Sequence, residues 1–277
     1  MEGIFMYKKT IEELVNNNVI NVKVLGDAGE VFYEMALEMI EEINKNNKEG
    51  RRTVFICPVG PTGQYPIFVR LVNKNKISLK NVWFINMDEY MIDEKTPISK
   101  DHELSFRGFM EKSVYSKIDS DLVMPENQRI FPEVGNEQKV METIEKLGGV
   151  DICFGGIGIN GHIAFNEPPE PNEVCTAEEF KNRTTRVLNI SRETRTINAV
   201  GSLGGAIQDM PKMCITIGMK EILSARKIKL YCFRDWHGAI VREGIFGERT
   251  AACPLSLLRD HADVEITLTS NAAKMPY

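Results

Sequence analysis

Four side chains able to exchange protons or hydrogen bonds, Asn160, His162, Asn166 and Glu167, are interleaved with and follow the glycines Gly155, Gly156, Gly158 and Gly161. The glycines remove side chains where a ligand could approach the backbone. Taken singly these features are ordinary, since a glycine turn often follows a strand and a lone histidine is more often a satisfied structural residue than a catalyst. A proton-transfer group, an amide and a carboxylate packed against one such turn make a concentrated polar site that a structural loop does not require. Upstream, Asp88, Glu89 and Tyr90 follow the apolar run Asn81–Asn86. Asp88 also reads as a loop cap, but a carboxylate at that edge is what a reaction moving a carbon-bound proton needs. A third candidate is the turn Pro58-Val-Gly-Pro-Thr-Gly63, between a strand and a helix, where backbone N–H groups and a helix N-terminus can hold an anion. Turn chemistry accounts for Gly60, Pro61 and Gly63 equally well.

Each group needs an element to deliver it. Val150–Phe154 is a short apolar run with β-branched and aromatic members, the pattern of a buried parallel strand. In an open α/β sheet, ligands bind beyond the carboxyl ends of such strands. Thr53–Cys57 and Asn81–Asn86 read the same way. Apolar residues at Val31, Met35, Met39 and Ile43 predict a helix over Asp27–Asn46, and further helices are expected at Gln64–Asn73, Leu104–Tyr115 and Glu137–Leu147. The proline- and acid-rich segment 169–183 reads as a surface loop or lid. Beyond it, strands at Thr185–Ile190, Met213–Ile217, Ile228–Phe233 and Val264–Leu268 alternate with helices from Glu193 and at Lys220–Ala225, His237–Phe246 and Pro254–Arg259. This alternation, without a linker or repeat, predicts a single domain over 1–277, three layers α/β/α around a mainly parallel sheet.

The 277 residues, 43% hydrophobic and 26% charged, have an ordinary globular composition with a net charge of −5. No long basic run is present, which argues against nucleic acid as a partner. Neither a signal peptide nor an apolar run long enough for a membrane span is found. The six cysteines are scattered, mostly within apolar runs, and read as reduced thiols of a cytoplasmic protein. No metal or organic cofactor is expected.

The string Gly158-Ile-Asn-Gly-His-Ile-Ala-Phe-Asn-Glu-Pro168, with Asn86-Met-Asp-Glu-Tyr90 upstream, resembles the glucosamine-6-phosphate deaminase (isomerase) family, and the likeness runs from about Val54 to Leu268. The resemblance implies a Rossmann-like α/β/α fold and a reaction on a small sugar phosphate. A hexosamine 6-phosphate ring is opened, a proton moves between C2 and C1, and ammonia is released to leave a ketose phosphate. It makes Asp88 the carbon base, His162 the acid/base of ring opening and Glu167 its supporting carboxylate. Gly60, Pro61, Thr62, Glu89, Tyr90, Gly158, Gly161 and His237 then surround the substrate. It also implies assembly into a homo-oligomer.

The chain departs from that pattern at two places. Asn160 stands where some members carry aspartate; an amide can orient an imidazole but cannot stabilise its cation by charge, so its role is to orient. The phosphate anchors differ more. The usual Gly-Gly-Thr turn is Gly60-Pro61-Thr62, an arginine position falls near Val200 and a lysine position near His237, leaving Arg186, Arg192, Arg195 and Arg234 as cations able to compensate. Two alternatives stand beside the deaminase reading. A 6-phosphogluconolactonase-like hydrolase shares the fold and a Gly-His motif, and a non-catalytic sugar-binding or regulatory module could keep the pocket without the anchors.

Overall fold

The computed structural model describes residues 4–277; Met1–Gly3, the opening of the weakly patterned start, lie outside the described residues. Two short helices, α1 (Ile4–Tyr7) and α2 (Ile11–Val15), lead into β1 (Asn21–Leu25) and the long α3 (Ala28–Lys48). Next come β2 (Thr53–Cys57), α4 (Gln64–Asn75), β3 (Val82–Asn86), β4 (Asp88–Met91), α5 (Phe106–Ser113), β5 (Arg129–Ile130), α6 (Lys139–Leu147) and β6 (Val150–Gly155). The last third holds α7 (Ala177–Lys181), β7 (Arg186–Asn189), α8 (Arg192–Ser202), β8 (Met213–Thr216), α9 (Met219–Leu223), β9 (Ala225–Cys232), α10 (His237–Phe246) and β10 (Val264–Thr269).

Seven strands form a parallel sheet in the order β1-β10-β9-β6-β2-β3-β5. β2 and β6 are buried along their whole length near its centre, as their unbroken apolar runs require. Successive side chains leave a strand on opposite faces. Phe55, Phe84 and Phe154 therefore pack under α3 and α4, while Ile56, Ile85 and Cys153 pack with α6, α9 and α10 on the other side. The α3 helix starts where the Asp27 carboxylate accepts from the Glu30 N–H at 3.0 Å, and it buries Val31, Met35, Met39 and Ile43 as the spacing predicts. Each such side chain removed from water contributes roughly 1.5–3 kcal/mol of transfer free energy. The three layers expected from the sequence are present.

Two of the expected strands lie elsewhere. The runs at Thr185–Ile190 and Met213–Ile217 form β7 and β8, which join β4 in a separate three-stranded antiparallel sheet, order β4-β8-β7. The switch between sheets happens at one residue. Met87 donates its N–H to the Cys57 carbonyl in the large sheet at 3.1 Å, and its own carbonyl accepts from the Ile217 N–H at 2.8 Å beside the small one. The segment 169–183 is also not one loop. Residues 177–181 form α7, begun by a capping box between Thr176 and Glu179 and anchored by the fully buried Phe180, so the irregular parts are 169–176 and the two residues after the helix. Leu104–Tyr115 shortens to α5 followed by a single 3₁₀ turn, and Pro254–Asp260 is 3₁₀ rather than α. Among the described residues no helix is long and apolar enough to cross a membrane.

Candidate active site

β6 ends at Gly155, and the chain passes over the carboxyl edge of the sheet from Gly156 to Glu167. Gly156 packs against the turn between β2 and α4, where a Cβ would lie 3.1 Å from the Gly60 carbonyl oxygen. Gly158 lies under the His162 imidazole, and a Cβ there would come 2.0 Å from Cε1. Gly161, at φ +85°, turns the chain back so that the Gly158 N–H donates to the His162 carbonyl at 2.9 Å. Ala164 holds φ +55°, a conformation that a residue with a Cβ adopts only under constraint.

His162 is 9% exposed, and its Nδ1 is 2.8 Å from the Asn160 Oδ1 and 3.3 Å from the Thr194 Oγ1. The Asn160 Nδ2 donates to the Glu167 Oε2 at 2.6 Å. Glu167 itself is 3.6 Å from Nδ1, beyond hydrogen-bond length, so the amide makes the link between carboxylate and imidazole. Burial opposes ionisation of Glu167. The interaction with His162 and the donors Asn160 and Thr194 outweigh it and hold the carboxyl at about 2. Its Oε1 is buried with no partner among the described residues.

Asp88 reaches this loop through the small sheet. Thr216 pairs with Asp88 on one side and Arg186 on the other, so the three side chains stand in a row on one face. The His162-to-Glu167 loop lies on that face. The Thr216 Oγ1 accepts from the Phe165 N–H at 3.1 Å, an Arg186 Nη donates to the Asn166 Oδ1 at 2.9 Å, and the Asn166 Nδ2 donates to the Ile217 carbonyl at 2.9 Å. Two residues further along each strand, Tyr90 extends the same face and packs its ring 5.5 Å from that of Phe165. Asp88 is 6% exposed, and its carboxylate makes no hydrogen bond among the described residues. Burial, with the adjacent Glu89 charge, pushes its carboxyl well above the usual carboxylate range. Burial also lowers the Arg186 guanidinium to about 10, which leaves it charged at neutral pH.

The structure redirects several residues expected at the substrate. Glu89 follows Asp88 on a strand and so points to the opposite face, where its two oxygens accept from the Tyr90, Phe106 and Arg107 N–H groups and the Ser105 hydroxyl at the start of α5. It serves that helix, and it has no oxygen free for a ligand. The Tyr90 hydroxyl accepts from the Asn198 Nδ2 at 3.2 Å. His237 is buried: its Nε2 bonds the Ile157 carbonyl at 3.0 Å and its Nδ1 the Arg234 backbone. Burial lowers it to about 4, so it is neutral and cannot stand in for a lysine. It ties the glycine loop to α10. Val200 is 66% exposed on α8. Of the arginines, Arg192 is exposed, while Arg195 turns an Nη toward the Ile207 carbonyl. Arg234 has neither an ion pair nor a side-chain hydrogen bond among the described residues. Its guanidinium lies 5.2 Å from the Phe233 ring centroid and beside Gly201 of α8. Phe233 packs on Phe32, which covers Gly63 of the β2–α4 turn. The turn thus packs on the glycine loop at Gly60 and connects to Phe233, the residue before Arg234, through Phe32 at Gly63. Among the described residues no three His, Cys, Asp or Glu side chains are placed to hold a metal ion.

Sequence reasoning missed Ser191, Thr194 and Thr216. The Ser191 hydroxyl caps α8 by accepting from the Thr194 N–H at 3.2 Å and also accepts from the Asn160 Nδ2 at 3.3 Å. A serine just before a helical pattern was the available signal.

No protein-family model matches the chain. Among curated proteins it is similar to the glucosamine-6-phosphate deaminase of Thermoanaerobacter pseudethanolicus, 31% identical over 251 residues that cover 88% of this chain and 92% of the relative. Among solved structures it resembles a monomeric glucosamine-6-phosphate deaminase, with TM-score 0.77, 25% identity and coverage of 91% of this chain and 98% of the other. A 6-phosphogluconolactonase from Shewanella baltica shares the fold at TM-score 0.62 and 15% identity, covering 96% and 100%. With that degree of identity over nearly the whole length of a curated relative, the chain is an enzyme and belongs to the glucosamine-6-phosphate deaminase family.

Proposed function

We propose that the chain converts a hexosamine 6-phosphate of the glucosamine type to a ketose phosphate and ammonia. The observation that carries this reading is the docking of Asp88 and the His162-to-Glu167 loop on the same residue, Thr216, which pairs with Asp88 and accepts from the Phe165 N–H. His162 moves the O1 proton to the ring oxygen, which opens the ring to the aldehyde. Asp88 takes the proton from C2 as the electrons shift to the C1 carbonyl oxygen, which is protonated, giving an enolamine. It then returns the proton to C1, leaving an imine at C2 that water cleaves to ketose and ammonia. A dry carboxyl that favours its protonated form suits this holding step. Lactone hydrolysis removes no carbon-bound proton and would give Asp88 nothing to do.

For the phosphate, the reading assigns the N–H groups of the turn at Thr62–Gln64 and the unpaired Arg234, which together replace the cations missing at Val200 and His237. The decisive measurement is ammonia release and ketose formation with glucosamine 6-phosphate, galactosamine 6-phosphate and unphosphorylated glucosamine. Turnover of a phosphorylated hexosamine at about 10⁴ M⁻¹s⁻¹ or more is expected. Arg234→Ala should raise KM roughly tenfold or more for the phosphorylated sugar, with kcat changed less than threefold, about the loss of one charge-assisted contact. No turnover of any of the three by folded protein would sink the proposal.

A further inference from the structure

Parallel strands have two ends, and the end opposite the glycine loop also carries a cleft. β9, β6 and β2 lie side by side there, and their second residues, Arg226, Asp151 and Val54, stand in the wall of a space of about 370 Å³. Asp151 is 6% exposed. Its carboxylate accepts from the Val54 N–H at 2.8 Å and from an Arg226 Nη at 2.5 Å, and an Arg51 Nη stands 4.0 Å away. Arg52 lines the same cleft; it is exposed and makes no ion pair or side-chain hydrogen bond among the described residues. Three guanidinium groups thus share one carboxylate. Two of them are held in place: Arg226 also donates to the Gly148 carbonyl at 3.1 Å, and Arg51 is tethered from outside the cleft by Asn46 at 2.6 Å and Glu49 at 2.7 Å. A guanidinium has five N–H donors, so Arg51 and Arg226 each keep three beyond these hydrogen bonds and Arg52 keeps all five. A Cβ at Gly149, where φ is +107°, would stand 3.9 Å from an Arg226 Nη, so the glycine leaves that side of the guanidinium open.

We propose that this cleft is a second binding site, which takes the phosphomonoester of a small metabolite on Arg51, Arg52 and Arg226. The planar guanidinium fork matches phosphate oxygens in pairs, and a dianion balances the positive charge that Asp151 alone leaves over. The volume lies at the small end of the range for ligand pockets, which suits one sugar phosphate and excludes a dinucleotide. Its occupant is separate from the substrate of the glycine loop. The five residues of β2 run from this cleft to the turn beside that loop, a span of roughly 16 Å at about 3.3 Å per residue. Because the arginines are open to solvent, the affinity should fall as salt rises. Nothing in this assignment depends on the reaction proposed above.

The test is calorimetric titration of the full chain at low ionic strength with ribose 5-phosphate, inorganic phosphate and ribose. It is run on Arg234→Ala, which lacks the cation assigned to the substrate phosphate, and on the same protein carrying Arg52→Glu. Arg234→Ala should bind ribose 5-phosphate with a Kd below about 1 mM and ribose not at all. Adding Arg52→Glu should weaken that binding about tenfold or more, since an anion then stands where a free cation did. Arg52 is exposed, so its replacement leaves the fold intact, which circular dichroism checks. Arg52→Glu alone should leave turnover at the glycine loop unchanged. No binding of ribose 5-phosphate in the millimolar range, or binding of the same strength with and without Arg52→Glu, overturns the site. Inorganic phosphate bound as tightly as ribose 5-phosphate overturns its assignment to a monoester. Folded wild type that turns over no hexosamine phosphate, alongside phosphate binding that needs Arg52, refutes the function and leaves this site standing; turnover with binding indifferent to Arg52 does the reverse.

Discussion

Asp88→Asn should abolish turnover and at the same time make the protein more stable at neutral pH. The carboxylate is 6% exposed, takes no hydrogen bond among the described residues and has Glu89 as its covalent neighbour. Those conditions raise its folded-state pKa, so the folded protein binds this proton more tightly than the unfolded chain, where the value is near 3.9. The linkage sign follows directly. The favourable contribution is complete below the unfolded value and is lost as pH rises through the folded value, so at neutral pH the raised folded-state value weakens the fold. Asparagine has the same shape and never ionises.

Removing an uncompensated buried charge, less the cost of leaving an amide unpaired in the same place, yields about 1–2 kcal/mol. For 277 residues, an unfolding entropy near 2.1 cal/mol/K per residue gives roughly 0.6 kcal/mol per degree, and hence a rise in Tm of about 2–3 °C. Calorimetric melts of both proteins near pH 7.5 should show that gap, and melts near pH 4 should bring the two together. The kcat should fall by at least about 10²-fold, the contribution of a general base. A variant that melts below the wild type at neutral pH would mean that the Asp88 carboxylate is a paired, stabilising anion, and the case for it as carbon base would fail.

Glu167→Gln should show the opposite sign. Its carboxyl is held at about 2, so it contributes stability above the unfolded value near 4.3 that disappears as pH falls toward 2; the variant should melt lower than wild type at neutral pH, and the two should converge in acid. Convergence at neutral pH and divergence in acid would show that Glu167 is not the stabilised anion. Gly158→Ala places a methyl 2.0 Å from the His162 Cε1, so the ring must leave its position while the surrounding sheet is untouched. Circular dichroism should be unchanged and kcat should fall about 10²-fold or more, as for a misplaced acid/base group; full activity would mean that the ring does not work from this pose.

The strands and long helices were legible because each is set by a local pattern. α3 announces itself through apolar residues spaced by four behind a capping aspartate, and β2 and β6 through unbroken apolar runs between polar flanks. The small sheet was not legible. Only Met87 separates β3 from β4, with no turn residue to mark the change of sheet, and Asp88-Glu89 has poor strand propensity. That oversight hid the fate of Glu89, since two acids read as neighbours in a loop look interchangeable, whereas on a strand they face opposite ways. His237 was opaque for a different reason: its neutrality follows from packing against the Ile157 carbonyl, a residue distant in sequence.

The site separates its two functional carboxylates by environment. Asp88 and Glu167 are the same chemical group, and both are less than a tenth exposed. Asp88 sits on a strand face that supplies no donor to its oxygens, and dryness drives it toward the protonated form. Glu167 lies at the far end of a tight loop that brings it His162, Asn160 and the first turn of α8, and those partners drive it toward the anion. One acid is thereby suited to hold a proton in transit and the other to remain a fixed charge, which is how paired acids in one site take different roles. The division depends on strand alternation, which turns Asp88 toward the loop and Glu89 away. Exchanging the residues at 88 and 89 would keep the composition and net charge of the chain, yet it would strip the start of α5 of the carboxylate that accepts from three of its donors and place a longer acid at the carbon base. The order of these two acids therefore matters to the chemistry.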